Sequence, residues 1–335
     1  MPGTDITGPV AGPTIDSPSI CQVAFSVINL DRTRGWYHDM LGFLPSGGTN
    51  NFGNIFGSWV QGLPNVIDVR TKWMVDRQEF MQLEMFEFKS PVPKPRPKDK
   101  RANDVGYMMV GLHISDFDAR LALLKNAGVM PLTAPIGAPG FRRVCIQDPE
   151  GNFIELMEDD PQPAGATARP RPRPNVPVIV RSMSLSVPSL ERSRRFFVET
   201  LRCKEATAFT LHGPEHEELW GLKGATADKL LLWAGDFLLE LREYTNPKGK
   251  PFPDGYRISD QGFLNIAFGF RTREAFTKIT ERLADSGYRG NSPPIHLFDW
   301  GVQYVNDDQC FSVELLFVEP EADKQMGFVP EAGVA

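Results

Sequence analysis

Residues Ile20 to Val27 alternate with the period of a half-buried strand. Val23, Phe25 and Val27 share one face, and Gln22, Ala24 and Ser26 share the other. Asp31 to Leu41 carries helical spacing, and Gly42 just beyond it is a stop. Phe80 to Phe88 alternates again. Tyr107 to Ile114 predicts a strand and Asp116 to Ala127 a helix stopped by Gly128. Arg142 to Gln147 and Asn152 to Glu158 predict a hairpin across the turn Asp148-Pro-Glu-Gly-Asn. The series then returns. Arg181 to Val187 is a strand, Ser189 to Leu201 a helix with Ser189 as N-cap, and Asp236 to Tyr244 a strand. Gly262 to Phe270 is a strand, Arg271 to Ser286 a helix stopped by Gly287, and Gln303 to Asn306 with Phe311 to Val318 a closing hairpin. The pattern is α+β, four strand–helix–strand–strand–strand (βαβββ) units.

The halves resemble each other residue by residue. Gln22-Val-Ala-Phe-Ser-Val returns as Ser182-Met-Ser-Leu-Ser-Val, Gly106-Tyr-Met-Met-Val as Gly262-Phe-Leu-Asn-Ile, and Asp148 to Leu156 as Asp307 to Leu315, at offsets of about 156 to 160 positions. The expected organisation is a tail over 1–17, a first domain over 18–160, a Pro-rich linker over 161–177, a second domain over 178–320 and a tail over 321–335. A second Pro/Lys stretch, Ser90 to Arg101, reads as a solvated connector whose charge could gate a pocket.

Length of 335 residues suits two domains. A net charge of -6 gives no reason to expect nucleic acid or an anionic membrane as partner. No apolar run is long enough to span a bilayer, and the start lacks the basic and apolar regions of a secretory signal. The four scattered cysteines read as free thiols, which with the missing signal predicts a cytoplasmic protein.

Val27-Ile-Asn-Leu-Asp-Arg, then Trp36-Tyr37 and Leu41-Gly42-Phe43, together with Asp148-Pro-Glu-Gly-Asn-Phe-Ile-Glu-Leu and the fourfold unit, resemble the vicinal oxygen chelate superfamily. That group includes glyoxalase I, methylmalonyl-CoA epimerase, extradiol dioxygenases and bleomycin- or fosfomycin-resistance proteins. The resemblance covers nearly everything from Ile20 to Glu319. It implies two curved-sheet domains, each a pair of units around a cavity, with metal ligands on the cavity face. Carried onto this chain, those positions are Gln22, Glu84, Met109 and Glu155 in the first half and Ser182, Glu240, Asn265 and Glu314 in the second. No histidine stands among them, and methionine is a poor ligand for a hard ion. Iron-dependent ring cleavage, which needs two histidines and a carboxylate, is therefore disfavoured. No cofactor is favoured. If a divalent metal (Fe, Mn, Zn or Mg) binds, Gln22, Glu84 and Glu155 are its expected ligands.

The resemblance also implies an acid–base histidine and a tyrosine ahead of the last glutamate. His296 and Tyr304 stand there, so the expected catalytic group is His296, Tyr304, Glu314 and Asn265 in a second-half cavity. Ser182, Glu240, Arg242, Trp300, Met109 and His113 are expected to contact substrate, with an ion pair between Arg242 and Glu240 as the rival reading. His212-Gly-Pro-Glu-His216 reads as a solvated acidic loop. The expected activity is proton transfer, of isomerase or lyase type, on a small hydrophobic or aromatic oxygenated metabolite. A dioxygenase or epimerase with an atypical metal site and a non-catalytic binding protein are the alternatives. Self-association as a homodimer stays open.

Overall fold

The computed structural model describes residues 18–161, 175–208 and 210–333. The expected tail 1–17 and most of the expected linker lie outside the described residues. The first unit is β1 (Ser19–Ser26), α1 (Leu30–Trp36) continued by a π-helical turn at Tyr37–Leu41, β2 (Leu44–Asn54), α2 (Ile55–Gln61), β3 (Ile67–Val75) and β4 (Gln82–Ser90). The second is β5 (Gly106–Ile114), α3 (Phe117–Asn126), β6 (Arg143–Gln147) and β7 (Phe153–Met157). The third is β8 (Val178–Ser186), α4 (Leu190–Arg194) with a π-helical turn at Arg195–Thr200, β9 (Lys204–Glu205), a 3₁₀ segment at Pro214–Trp220, β10 (Thr226–Ala234) and β11 (Phe237–Asn246). The fourth is β12 (Gly262–Phe270), α5 (Arg273–Asp285), β13 (Ile295–His296), β14 (Trp300–Asn306) and β15 (Ser312–Val318).

Helix starts follow the side-chain signals. Asn29 accepts from Arg32 N at 3.0 Å and Ser189 from Arg192 N at 3.4 Å, each satisfying an orphan amide of its helix's first turn. Gly42, at φ 82°, ends the first helix in the left-handed conformation that glycine adopts without a Cβ penalty.

The strands form two curved sheets. One has eight strands in the order β13-β14-β15-β12-β1-β4-β3-β2, the other seven in the order β6-β7-β5-β8-β11-β10-β9. The expectation that neighbouring units share a sheet is corrected here. The first unit pairs with the fourth through antiparallel β1 and β12, with Val23 opposite Ile266. The second pairs with the third through β5 and β8, with Val110 opposite Met183. Backbone ladders do not depend on side-chain identity, so the alternation of each strand fits either partner.

Chain neighbours are joined instead through the helix layer. In the Asp148 turn, Asp148 Oδ1 accepts from Glu150 N and Asn152 N, both at 2.8 Å. Tyr37, on the first helix, donates to Asp148 Oδ2 at 3.0 Å, and Thr33 donates to Glu150 at 2.7 Å. Asp307 builds the matching turn, and Gln309 there bonds Ser193 at 2.9 Å. The recurring turn motif thus docks one unit onto its neighbour's helix.

One face of the central strands, with Val23, Phe25, Val110, Leu112, Val180 and Ile266, packs with the helices into a continuous core. The other face lines the cavities. Residues after Val318 do not form a free tail: Phe328 is buried with its ring centroid 4.5 Å from that of Phe80, and an Arg271–Asp323 ion pair clamps the segment. Among the described residues, no helix is long and apolar enough to cross a membrane.

Candidate functional site

In the eight-stranded sheet, register gathers four polar side chains on the cavity face. Ala24 lies between Glu84 and Asn265, and Ala267 between Gln22 and Glu314. The two alanines leave space above the sheet, and its curvature turns both carboxylates into one cavity of about 230 Å³. Trp73, opposite Glu84 on β3, donates from Nε1 to Glu84 Oε1 at 2.8 Å. Tyr304, opposite Glu314 on β14, lines the same cavity, and Asn265 Nδ2 reaches Glu314 Oε2 at 3.4 Å. Phe86, Trp300, Val302, Leu316 and Met326 supply apolar wall, and among the described residues no lysine, arginine or histidine lines the cavity.

Two buried carboxylates without a cation cannot both ionise cheaply. Burial, then the neighbouring Glu314, pushes the Glu84 carboxyl well above its ordinary value. Burial pushes Glu314 up to about 7, against the hydrogen bonds from Tyr304 and Asn265 that favour its charged form. Burial and the two glutamates hold the Tyr304 hydroxyl protonated. Gln22 Oε1 and Asn265 Oδ1 are buried without a hydrogen-bond partner. Phe56 lines this cavity while 48% exposed, and its chain neighbours Phe52 and Ile55 are 67% and 70% exposed.

The matching positions of the seven-stranded sheet are closed by ions. His212 sits between the two glutamates, with Nδ1 2.7 Å from Glu240 Oε2 and Nε2 2.9 Å from Glu155 Oε1. Arg143 lies 3.4 Å from Glu155, and Trp220 donates to the other oxygen of Glu155 at 3.0 Å. Arg242 pairs with Glu240 at 2.7 Å and with Glu217, and its guanidinium lies 4.4 Å from the Trp220 ring centroid. Burial alone would raise Glu155, but His212 and Arg143 overcome it and hold the carboxyl at about 2. Arg242 and His212 likewise overcome burial and hold Glu240 below the usual carboxylate range. Burial opposes charge on His212, yet the two glutamates raise it above its ordinary value. Three acids thus face three cations in a dry pocket, and no carboxylate is left free for chemistry.

The structure sorts the expected residues accordingly. Tyr304, Glu314, Asn265 and Trp300 come together, with Gln22 and Glu84 from the other half of the chain. Ser182, Glu240, Arg242, Met109 and Glu155 belong to the ion-filled sheet. His113 is a partly exposed residue on β5, on the face that Met109 shares. His296 is corrected: it pairs with Gly301, one position out of phase with Val302 and Tyr304, so it lies on the opposite face. Its ring is exposed and meets Phe276 of α5 edge-on at 5.2 Å. The metal set Gln22, Glu84 and Glu155 is corrected too, because Glu155 lies in the other sheet and is consumed by His212. The solvated-loop reading of His212 is likewise overturned by its burial. Sequence reasoning missed both the Trp73 bond to Glu84 and the bridging role of His212, and no local signal marks either.

Residues 21–146 match the family described as the glyoxalase/bleomycin resistance protein/dioxygenase superfamily. No curated protein matches the chain in sequence. Among solved structures, a candidate dioxygenase from Bacillus subtilis is similar at TM-score 0.62 and 14% identity, over 95% of this chain and 91% of that one. Glyoxalase I from Zea mays is similar at TM-score 0.58 and 15% identity, over 90% and 92%. At these identities the shared property is the fold, two curved sheets of this kind.

Proposed function

We propose that this chain, a member of the glyoxalase/bleomycin resistance protein/dioxygenase superfamily, is an enzyme that moves a proton on a small, largely apolar oxygenated molecule held in the cavity of the eight-stranded sheet. One observation carries the reading. Glu84 and Glu314 face that cavity buried and without a cationic partner, while their counterparts Glu240 and Glu155 are neutralised by His212, Arg143 and Arg242. Buried carboxylates left unneutralised cost stability, and a pair that shares a proton can serve as acid and base at neutral pH.

In this reading Glu314, with its value near 7, takes a proton from a carbon next to the substrate's carbonyl. Glu84, kept protonated by burial and oriented by Trp73, returns a proton to the neighbouring atom. The Tyr304 hydroxyl and the Asn265 amide are the donors available to the oxygen that gains charge. The apolar wall and the exposed aromatic rim favour a hydrophobic or aromatic ligand.

A second reading rests on the unpartnered oxygens of Gln22 and Asn265. Among the described residues, no three His, Cys, Asp or Glu side chains converge on a metal position. The amide oxygens with Glu84 and Glu314 nevertheless make an all-oxygen donor set, which fits a hard ion such as Mg²⁺ or Mn²⁺ better than zinc or copper. Such an ion would polarise a substrate carbonyl. Binding, orientation and proton transfer would still fall to this chain's side chains.

The test is carbon-bound hydrogen exchange in D₂O. Aromatic α-hydroxyketones are incubated with the protein, with and without Mn²⁺, and followed by NMR. We expect protein-dependent exchange that Glu314→Gln lowers by roughly 10²-fold or more. Equal exchange by wild type and E314Q, or ligand that binds and is recovered without deuterium, would refute catalysis and favour a binding protein.

A further inference from the structure

The two long connectors that follow β4 and β11 meet, with Phe252 packed on the buried Phe311 ring at 5.4 Å. Their backbones are stitched: Val105 N donates to Lys250 O at 2.8 Å, Lys94 N to Asp260 Oδ1 at 2.9 Å, and Arg96 N to Gln261 Oε1 at 2.8 Å. Between them lies a cleft of about 220 Å³, separate from both sheet cavities. Pro95, Pro97, Pro251 and Pro253 form much of its wall, with Phe252 and Tyr256 stacked at 4.6 Å.

The charges in this cleft do not balance. Its acids are occupied: Asp104 accepts from Arg101 N and Lys250 N at 2.9 and 2.8 Å, Asp260 from Lys94 N and Arg257 N at 2.9 and 3.0 Å, and Asp99 pairs with Lys250. Lys94 spends its ammonium on the carbonyls of Asp254 and Gly255 at 2.8 and 3.0 Å. Arg96 and Lys100 make no ion pair among the described residues. Arg96 Nη1 has a 3.4 Å contact with the Asn152 amide, and its Nη2 is buried with no partner at all. Burial, then the nearby Arg96, lowers the Lys100 ammonium to about 8, as expected of two cations sharing one partly dry site.

We propose that this cleft is a second ligand site, for a small aromatic carboxylate. The carboxylate pairs with the Arg96 guanidinium and Lys100 Nζ, two lining cations that lack an ion-pair partner, and the ring lies against the prolines and the Phe252–Tyr256 pair. Arginine's planar fork suits a carboxylate, and the flat apolar wall suits a ring more than a fully hydrated inorganic anion.

The test is calorimetric titration of the full chain with benzoate at pH 7, with benzamide and inorganic phosphate as the other arms. We expect saturable 1:1 binding of benzoate, at least tenfold weaker binding of benzamide, and no displacement by an equal concentration of phosphate. Arg96→Met and, independently, Lys100→Met should each weaken benzoate at least tenfold, while Glu314→Gln, in the other cavity, leaves it unchanged. Absence of benzoate binding, equal binding of benzamide, displacement by phosphate, indifference to K100M in folded protein, or loss of binding in E314Q would each overturn the assignment. Because the E314Q arm reads a different cavity, failure here leaves the proposed proton transfer standing on its own test.

Discussion

Replacing His212 by glutamine removes the cation that bridges Glu155 and Glu240 while roughly keeping the side chain's volume. The cost follows from the structure. Glu155 is fully buried and held at about 2 rather than 4.5, with His212 its largest favourable neighbour. At about 1.4 kcal/mol per unit this corresponds to about 3 kcal/mol of native-state stabilisation. Breaking buried ion pairs generally costs ~3–5 kcal/mol, because the remaining charge is stranded in a dry site. For a chain of this size each kcal/mol moves the midpoint by roughly 2 °C, so H212Q should melt about 6 °C or more below wild type. The pH dependence adds a second signature. His212 is raised in the folded state, so its contribution is complete below about pH 6.5 and drains away as pH rises through the raised value. Glu155 and Glu240 are depressed, so theirs is present above about 4.5 and lost as pH falls toward 2. The network is strongest between those limits, and the gap between wild type and H212Q should be widest there and narrow on the alkaline side. Differential scanning calorimetry from pH 4.5 to 9 measures both. A shift under 2 °C, or a gap that does not change with pH, would refute the account of His212 as a buried bridging cation.

Glu314→Gln should act in the opposite sense. The Glu314 carboxyl is raised to about 7, so its penalty grows between about pH 4.5 and 7 and is complete above that. In chelator-treated protein E314Q should match wild type at about pH 4 and exceed it by up to about 3 kcal/mol at about pH 8 by denaturant titration; equal stability at both pH values argues against a strained carboxyl. If the all-oxygen set holds a hard ion, Mn²⁺ should raise the melting temperature of wild type and not of Glu84→Gln, and equal shifts would place the ion elsewhere. Trp73→Phe removes the indole donor to Glu84 at 2.8 Å and should cost about 1–3 kcal/mol, with an unchanged midpoint counting against that bond. Phe328→Ala, a buried ring in the C-terminal strap, should cost about 3–5 kcal/mol and speed tryptic cleavage after Lys324, and resistance equal to wild type would show that the strap does not depend on that ring.

The sequence by itself determined the local frame. Alternation in Ile20 to Val27 assigned Gln22, Ala24 and Ser26 to one face and Val23 and Phe25 to the core, and the structure keeps that division, because side-chain direction along a strand is a local property with period two. The resemblance, carried onto this chain, implied that Glu84, Glu155, Glu240 and Glu314 face cavities, and the superfamily fold was legible from the recurring units together with the motifs that carry that resemblance. Only the tertiary structure decided which of these residues meet. The ladders β1–β12 and β5–β8 join strands distant in sequence, and backbone hydrogen bonding carries no mark of its partner. That pairing put Gln22 and Glu84 beside Asn265 and Glu314, and moved Glu155 beside Glu240. It also decided the fate of His296 and His212. One residue of phase on a two-residue strand turns His296 to the helix side, while a loop with no local signal delivers His212 between two glutamates. Electrostatics then separates two similar sheets. Cations neutralise the carboxylates in one, and burial leaves them uncompensated in the other, because charge in a dry site is set by whichever neighbours the fold supplies.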